Sequence, residues 1–274
     1  MKQNDRENLE IDLLLEAING CYGYDFRCYA RASIRRRIVR FMRISEAASI
    51  SEMIPKVIHD ESFFERIVRE FSITVTEMFR DPQMFLALRE KIIPLLKSYP
   101  FVKIWHAGCA TGEEAYSLAI LIEEEGLGKR TTFFATDFND NALEKAKEGI
   151  FSLENARQYS QNYQQAGGKY SLSDYYHARY GAMAIKSELK KTITFANHNL
   201  VVDQVFTETN LILCRNVLIY FNKELQERVL KLFYESLVFG GFLCLGNKES
   251  LLFSKYQDKF RAIDIKNKIY QKTG

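Results

Sequence analysis

From Ile104 to Ala119 the sequence is IWHAGCATGEEAYSLA. Its apolar beginning predicts a buried strand, its two glycines predict a turn, and the remainder has the composition of a helix. Glycines at such a turn allow a ligand to approach the backbone closely. The segment therefore predicts a strand–turn–helix unit of an α/β fold, with a ligand site at the turn.

Two carboxylates, Glu113 and Glu114, open the predicted helix at the place where a phosphate-binding helix has a free N-terminus. They would repel phosphate, but they would accept the cationic end of an adenosine-containing ligand such as S-adenosylmethionine. A structural role is also open, because Thr111-x-x-Glu114 has the spacing of a capping box and acids suit a first helical turn. Both interpretations can hold together, since a cap can also face a ligand.

Composition sets broad limits on the chain. It has 274 residues, of which 47% are hydrophobic and 27% charged, and its net charge is only +3, so the molecule as a whole is not built for polyanions. Five scattered cysteines without a CxxC pair favour reduced thiols and a cytoplasmic location. Four histidines without ligand spacing predict no metal site. We find neither a leader segment nor an apolar run of about 18 residues, so no membrane insertion is expected.

The pattern of apolar residues changes along the chain. Residues 1–85 have helical spacing and little proline or glycine, which predicts an all-helical N-terminal domain with a linker; Ser62-x-x-Glu65 suggests a capping box there. Residues 86–274 alternate apolar strands with helices, which predicts a Rossmann-like domain with a mostly parallel sheet and helices on both faces. The expected strands are 101–105, 131–137, 210–216 and 241–245, the expected helices are 113–125, 141–148 and 223–237, and closing strands are expected within 263–271.

Residues from about 155 to 195 interrupt this alternation. They are rich in Gln, Asn and Tyr at first, and then polar and apolar residues alternate in 180–186 and 192–195. We therefore expect a small inserted antiparallel β-subdomain there.

Candidate site residues are the polar side chains at the carboxyl ends of the predicted parallel strands, where open α/β sheets bind ligands. They are Gly108, Gly112 and Glu114 after the first strand, Asp137 after the second, Asn197 and Asn199 after Phe195, and Arg215, Asn216 and Tyr220 after the third. Asp137 suits the two hydroxyls of a ribose, with a helix N-cap as the alternative. Turn residues are the alternative for the Asn pair, and a strand-end ion pair is the alternative for Arg215.

Four ordered segments carry a family resemblance. They are 72–82 (SITVTEMFRDP), the turn and helix of 107–119, Ala135-Thr136-Asp137 with 142–146 (ALEKA), and 214–221 (CRNVLIYF). Together they resemble the CheR family, the glutamate methyltransferases of chemotaxis receptors. The resemblance implies a helical receptor-docking domain and a class I methyltransferase domain. It also implies methyl transfer from S-adenosylmethionine to receptor glutamates, with S-adenosylhomocysteine as product and no metal.

The resemblance also assigns roles to residues. The cofactor would be covered by Thr74, Thr76 and Arg80, and it would be contacted by Gly108 and Glu114. Its ribose would be held by Asp137, and its adenine would be bordered by Asn199 and Leu200. Its methionine end would be lined by Arg215 and Asn216. Arg80 and Tyr220 would be catalytic, next to the incoming carboxylate and the methyl group. Without the resemblance, Thr74-x-Thr76 would be a β-branched turn and Arg80-Asp81 a local ion pair. Neither a general base nor a general acid is required, because the acceptor carboxylate is already ionised and the leaving group is a neutral thioether.

A basic helix is predicted near the N-terminus. Seven arginines and no acid lie between Phe26 and Ser45. Ile34, Ile38 and Phe41 should face the core, which leaves Arg36, Arg40 and Arg43 as a basic stripe on the opposite side. We expect the stripe to dock an acidic receptor helix; a solvated face or another polyanion is the alternative.

Two further points concern partners. The segment His177–Lys186 is short and has one glycine, Gly181, so the chain resembles family members that do not use a C-terminal receptor tether peptide. Two alternatives to the enzyme reading stay open, a non-catalytic cofactor-binding module and a methyltransferase with another acceptor. Arg80 and Tyr220 favour the receptor enzyme, and no Asn/Asp-Pro-Pro-Tyr motif points to nucleic acid.

Overall fold

The computed structural model describes residues 3–72 and 74–274, so Met1, Lys2 and Ile73 of the segments discussed above lie outside the described residues. The described chain forms two compact units. The first contains residues up to 72 together with 219–228, and the second contains 74–218 and 229–274.

The first unit is helical, as the sequence predicts. Its helices are α1 (Gln3–Tyr22), α2 (Arg31–Ile44), α3 (Met53–His59) and α4 (Glu61–Phe71). Apolar side chains at helical spacing, such as Ile34, Ile38 and Phe41, are buried in it. The predicted capping box at Ser62 is wrong, because the N-cap of α4 is Asp60, two residues earlier, and its carboxylate accepts the amide hydrogens of Ser62 and Phe63.

A distant segment completes the helical unit. The Ala30 amide donates to the Tyr220 carbonyl at 2.8 Å, and the Asn222 amide donates to the Cys28 carbonyl at 2.9 Å. The rings of Tyr29 and Phe221 meet edge to face at 5.2 Å. These contacts satisfy backbone groups that would otherwise need other partners, and they place Tyr220 in the first unit.

The second unit is built on a seven-stranded sheet. The strands are β1 (Val102–Ala107), β2 (Thr131–Asp137), β6 (Ile193–Asn197), β7 (Thr209–Cys214), β8 (Leu237–Leu245), β9 (Phe260–Asp264) and β10 (Ile269–Lys272). Their order in the sheet is β6-β2-β1-β7-β8-β10-β9; the pairs from β6 to β8 are parallel, and β10 pairs antiparallel with both of its neighbours. This mostly parallel sheet confirms the predicted Rossmann-like class.

The remaining helices lie before and between the strands along the chain. They are α5 (Pro82–Ala87), α6 (Ile93–Leu96), α7 (Glu113–Glu124), α8 (Asp140–Glu148), α9 (Ala156–Gln165), α10 (Ser187–Lys190) and α11 (Lys223–Ser236). A π-helical turn, Leu88–Ile92, joins α5 to α6. Although the sequence analysis assigned residues up to 85 to the helical domain, the described second unit begins at Thr74. Met78, Phe79, Met84 and Phe85 are fully buried in its hydrophobic core, which accounts for the earlier boundary.

Of the two segments expected in the inserted β-subdomain, 180–186 is confirmed and 192–195 is not. Its three strands are β3 (Ile150–Ser152), β5 (Ala182–Ile185) and β4 (Tyr176–Arg179), all antiparallel. The assignment of 192–195 to this element is wrong, because β6 pairs in parallel with β2 in the large sheet. It lies at the sheet edge with Thr194 and Ala196 exposed, so its alternating pattern reflects an edge position.

Three of the five cysteines, Cys109, Cys214 and Cys244, are buried in the second unit, and burial raises the pKa of each thiol. Cys21 is exposed and Cys28 is partly buried. Within the described ranges, no helix is both long and apolar enough to cross a membrane. The same residues contain no group of three or more His, Cys, Asp or Glu arranged to hold a metal ion.

Candidate functional site

The turn between β1 and α7 depends on its glycines. Gly108 and Gly112 have φ angles of +75° and +94°, and a Cβ on Gly112 would lie 2.9 Å from the Cβ of Ala146. Gly112 is the N-cap of α7 and no side chain caps the helix, so the capping-box interpretation of Thr111 and Glu114 is wrong. The Thr111 hydroxyl instead donates to the Glu113 carboxylate at 2.6 Å. Glu114 is therefore free of a capping role.

Glu114 lies at the centre of a buried charge cluster. It is only 4% exposed. One carboxylate oxygen pairs with Arg215, and the other, Oε1, lies 3.2 Å from Nε2 of His106. Burial by itself would raise the pKa of Glu114. The positive charge of Arg215 and the contact with His106 have a larger, opposite effect, so the pKa of Glu114 lies below its ordinary value. The carboxylate is thus ionised at neutral pH, and its Oε1 has no well-aligned hydrogen bond within the described chain.

Arg215 joins this cluster to the segment before α5. Its Nη2 lies 2.5 Å from the Asp81 carboxylate, and its Nη1 donates to the Arg80 carbonyl at 3.2 Å. The strand-end ion pair considered for Arg215 is therefore present. The local Arg80-Asp81 pair is not, because Asp81 pairs with Arg215 while the Arg80 side chain donates to the Val75 carbonyl at 3.3 Å.

Strained backbone surrounds the cluster. Of the eight described residues other than glycine that have positive φ angles, four lie in the segments around it, with φ of about 50–60°: Phe79, Asp81, Ala110 and Asn216. Such residues cost on the order of 1–3 kcal/mol each and persist where the surroundings fix them. The Phe79 amide is fixed by donating to the Ser117 hydroxyl at 2.8 Å. Strained residues next to a buried charge cluster are typical of a functional site.

Glu249 fixes the loop that carries Asn216, a role that was not predicted from the sequence. The side chain is 5% exposed. Its carboxylate accepts the amide hydrogens of Gly246 at 2.6 Å, Asn216 at 3.1 Å and Val217 at 2.9 Å. The sequence contained one indication of this role, because Glu249 follows shortly after the end of a parallel strand, at the edge of the sheet where ligands bind.

Asp137 ends β2 beside the glycine turn. Its two oxygens accept the amides of Ala110 at 2.9 Å and Asn139 at 3.0 Å. The N-cap alternative is wrong, since the N-cap of α8 is Asn139. Burial raises the pKa of Asp137, while these amide hydrogen bonds oppose the shift. A carboxylate has about four acceptor positions, so capacity for two ribose hydroxyls is left.

The remaining candidates of this unit lie near these strand ends or on the segment before α5. The His198 amide donates to the Asp137 carbonyl at 3.1 Å, which places the turn after β6 next to β2. In that turn the Asn199 side chain accepts the Val201 amide at 3.0 Å, as expected for a turn residue, and Leu200 is buried. Thr74 and Thr76 are partly buried on the segment that leads to Arg80.

Glu113 belongs to a separate small cavity. The cavity has a volume of about 190 Å³, and Thr111, Glu113, Lys145 and Tyr159 are among its lining residues. Burial raises the pKa of Glu113 to about 7. This carboxyl group therefore titrates near neutral pH close to the cluster around Glu114.

The arginines of the helical unit are less free than their sequence suggested. Arg36, Arg40 and Arg43 are exposed, as expected, but Arg40 pairs with Glu70 at 2.7 Å. The acids that pair with the other surface arginines are Glu16 and Asp25 for Arg27, Asp12 for Arg31, and Glu7 for Arg35. Across the described residues, Arg36 and Arg43 form no ion pair. The basic stripe without paired acids is therefore smaller than the seven arginines of the sequence suggested.

Arg37 was not a candidate, yet it is the unusual arginine of α2. It faces inward and is 6% exposed. Its guanidinium lies 4.6 Å from the ring centroid of Tyr220, and its Nε and Nη2 have no hydrogen-bond partner in the described chain. Burial lowers its pKa. Tyr220, expected near the transferring methyl group, thus contacts Arg37 within the helical unit.

The buried polar atoms of the second unit fit one end of a cofactor. Glu114 Oε1 is an anionic acceptor, Arg215 Nε is a cationic donor, and Asn216 Oδ1 is a neutral acceptor, all without partners among the residues described. An amino-acid group, which carries an ammonium and a carboxylate, matches this set of partners. With Asp137 available for a ribose, the residues present fit S-adenosylmethionine.

Comparisons with known proteins agree with this fit. Residues 74–269 match the family model of the CheR methyltransferase SAM binding domain, and residues 9–72 match that of its all-alpha domain. A Pseudomonas putida protein provisionally named methyltransferase Cher3 is 48% identical over 273 residues, with all of both chains covered. Chemotaxis protein methyltransferases of Listeria monocytogenes and Vibrio parahaemolyticus are 28% and 29% identical, covering 84% and 95% of this chain and 86% and 94% of theirs.

The two family models together span most of the chain, and the change from one model to the other at residues 72–74 matches the first border between the two units. Membership in one family therefore accounts for the helical domain, the parallel sheet and the polar residues at its strand ends. The chain belongs to the CheR family of S-adenosylmethionine-dependent methyltransferases.

Proposed function

We propose that this enzyme transfers the methyl group of S-adenosylmethionine to side-chain carboxylates of glutamates in the cytoplasmic domains of chemotaxis receptors. The methyl donor follows from the family, and relatives named chemotaxis protein methyltransferases support the acceptor. The observation that carries the site assignment is the set of unpartnered buried atoms on Glu114, Arg215 and Asn216. Such groups are costly to bury unless a ligand satisfies them.

In this proposal each residue binds a defined part of the donor. Glu114 accepts the hydrogens of the ammonium group, and Arg215 with Asn216 lines the methionine end. Asp137 accepts the ribose hydroxyls. The turn with Asn199 and Leu200 borders the adenine, the glycine turn at Gly108 gives backbone access, and Thr74 and Thr76 cover the donor. The donor, when bound, supplies a methyl group activated by a positively charged sulfur.

The chain's residues then align and desolvate the acceptor. The substrate carboxylate, with an ordinary pKa of about 4.3, is ionised at neutral pH and requires no base. One of its oxygens forms the bond to the methyl carbon while the carbon–sulfur bond breaks and its electron pair stays on sulfur. A methyl ester and S-adenosylhomocysteine result. Arg80 orients the carboxylate through a charge-assisted hydrogen bond, and Tyr220 acts as the second catalytic residue.

Docking of the acceptor is proposed for the helical unit. Arg36 and Arg43 present uncompensated positive charge, and Arg40 can exchange its partner Glu70 for an acid of the receptor helix. Binding independent of a receptor tether peptide is part of the proposal. It is supported by the two-residue Tyr180-Gly181 turn between β4 and β5, which is short for a peptide-binding loop.

The test is transfer of labelled methyl from S-adenosylmethionine to membranes that contain the host's chemoreceptors. We expect base-labile label on receptors with the wild type and a loss of at least about tenfold with Arg80→Ala, the factor that corresponds to ~1.4 kcal/mol. Arg179→Ala, which removes an exposed arginine of β4, is the matched control and should retain activity. Absence of receptor label from a wild type that binds the donor would contradict the acceptor and favour a regulatory module or a different acceptor.

A further inference from the structure

The peptide group that joins Met78 to Phe79 lies just before Arg80, the residue proposed to orient the acceptor carboxylate. Both Met78 and Phe79 are fully buried. Phe79 has a left-handed φ of +53°, although it is not glycine. This conformation is unfavourable for a residue with a Cβ, so neighbouring groups must hold it in place.

Side chains from two different helices bind this one peptide group at both of its polar atoms. Its N–H, on Phe79, donates to the Ser117 hydroxyl of α7 at 2.8 Å. Its carbonyl, on Met78, accepts from the Asn162 side-chain amide of α9 at 3.1 Å. Ser117 is fully buried and Asn162 is 5% exposed. Rotation of the peptide plane by about 180° would give Phe79 an ordinary negative φ, but it would break both hydrogen bonds where water cannot replace them.

The two side chains are themselves oriented by local hydrogen bonds. The Ser117 hydroxyl donates to the Glu113 carbonyl at 2.7 Å, which leaves its oxygen to accept the peptide N–H. The Asn162 side-chain oxygen accepts from the Gln158 amide at 2.9 Å, which leaves its amino group to face the peptide carbonyl. Each side chain thus presents the polar group that the peptide requires, an acceptor for the N–H and a donor for the carbonyl.

Arg80 lies between this peptide group and a second anchored one. The Arg80 carbonyl accepts from Arg215 at 3.2 Å, and the next residue, Asp81, pairs with the same guanidinium. On the other side of Arg80 in the chain, the Phe79 ring packs edge to face against Tyr163 of α9, with centroids 5.1 Å apart. The backbone of Arg80 is therefore fixed on both sides, and its side chain extends from a defined position.

We propose that Ser117 and Asn162 are positioning residues, which orient Arg80 toward the acceptor carboxylate through the peptide group between Met78 and Phe79. The inference rests on the proposed function, in which Arg80 orients that carboxylate. It also gives the insertion a part in the reaction, because α9 belongs to the segment between α8 and β6 that interrupts the alternation of strands and helices. Neither residue contacts the reacting atoms or the groups proposed to hold the donor. Their loss should therefore slow methyl transfer more than it weakens donor binding.

The experiment measures kcat and KM for methyl transfer to membranes that contain the host's chemoreceptors, with Ser117→Ala and Asn162→Leu. Each variant should lower kcat on the order of tenfold and change the KM for the donor by less than about threefold. Ser236→Ala is the matched control. Ser236 is also fully buried, but its hydroxyl has no hydrogen-bond partner among the described residues, so this variant should keep the wild-type kcat. Urea denaturation establishes that each variant is folded under the assay conditions.

The same substitutions in an Arg80→Ala background separate positioning from a general structural role. If Ser117 and Asn162 act through Arg80, each substitution should lower kcat by less than about twofold once Arg80 is absent. A loss by the same factor in both backgrounds, or a wild-type kcat in both single variants, would overturn the inference while leaving the proposed function intact.

A different result would remove the basis of the inference. A wild type that binds the donor but methylates no receptor would overturn the proposed function, and the inference with it. An Arg80→Ala variant with full activity would overturn the role of Arg80, and again the inference. If Asn162→Leu does not fold, Ser117→Ala in the two backgrounds decides, because both residues bind the same peptide group.

Discussion

Glu249→Ala should destabilise the methyltransferase unit and weaken donor binding together. The buried carboxylate accepts three backbone amides, those of Gly246, Asn216 and Val217. Hydrogen bonds to a charged acceptor contribute about 1.5–3 kcal/mol each. Because the loop can relax and admit water, we expect a loss of about 3–4 kcal/mol in the free energy of unfolding, below the full sum of the three.

The assay is urea denaturation with and without S-adenosylmethionine, combined with calorimetric titration of the donor. Glu249→Gln keeps one acceptor oxygen and should lose roughly half as much stability as Glu249→Ala. Glu154→Ala, on an exposed residue, is the matched control and should stay within about 0.5 kcal/mol of the wild type. If Glu249→Ala behaves like Glu154→Ala in both stability and donor affinity, the argument that this carboxylate fixes the loop is refuted.

Three other changes have expected outcomes. Gly112→Ala should lower the free energy of unfolding by at least about 2 kcal/mol more than Gly126→Ala, as measured by urea denaturation. Both glycines have positive φ angles, but only a Cβ at position 112 would contact a neighbouring residue. Arg37→Met should raise the free energy of unfolding by about 1–2 kcal/mol, because it removes a buried guanidinium whose Nε and Nη2 have no partner in the described chain. Urea denaturation measures the change, and a variant no more stable than the wild type would contradict this. Burial alone would raise the pKa of Glu125, but hydrogen bonds from three basic neighbours lower it to about 2. Its stabilising contribution is then present above its unfolded pKa and lost as the pH falls toward 2, so acid denaturation curves of Glu125→Gln should show a smaller loss of stability across that range than the wild type.

The sequence predicted features whose signal is local. The strand Thr131–Asp137 and the start of α7 at Glu113 were located correctly, because apolar runs and glycine pairs mark them directly. The edge strand β6 was placed in the wrong sheet, since alternation shows that one face is exposed but does not show which strand it pairs with. The position of residues 219–228 depends on backbone pairs with Cys28 and Ala30, which no local pattern reveals.

The same limit applies to the candidate site. Glu114 and Arg215 could each be named as polar residues at strand ends, but their ion pair spans 101 positions in the chain. Arg37 lies three residues after Ile34 and four before Phe41, so helical periodicity could have placed it on the buried face, but burial of an unpaired arginine is not expected from its residue type. Thr111 and Glu114 matched a capping box by spacing, yet the charge of Arg215 attracts Glu114 more strongly than a helix terminus does.

The distribution of the thiols has a practical consequence for labelling. Maleimide dyes react with accessible thiolates, and burial protects the cysteines of the second unit through both access and raised pKa. Cys21, at the end of α1, is the exposed thiol, and Cys28→Ser would remove the partly buried one. A single dye could thereby be attached to the helical unit of an otherwise native enzyme, where its fluorescence would report binding of the proposed acceptor without a reporter near the donor.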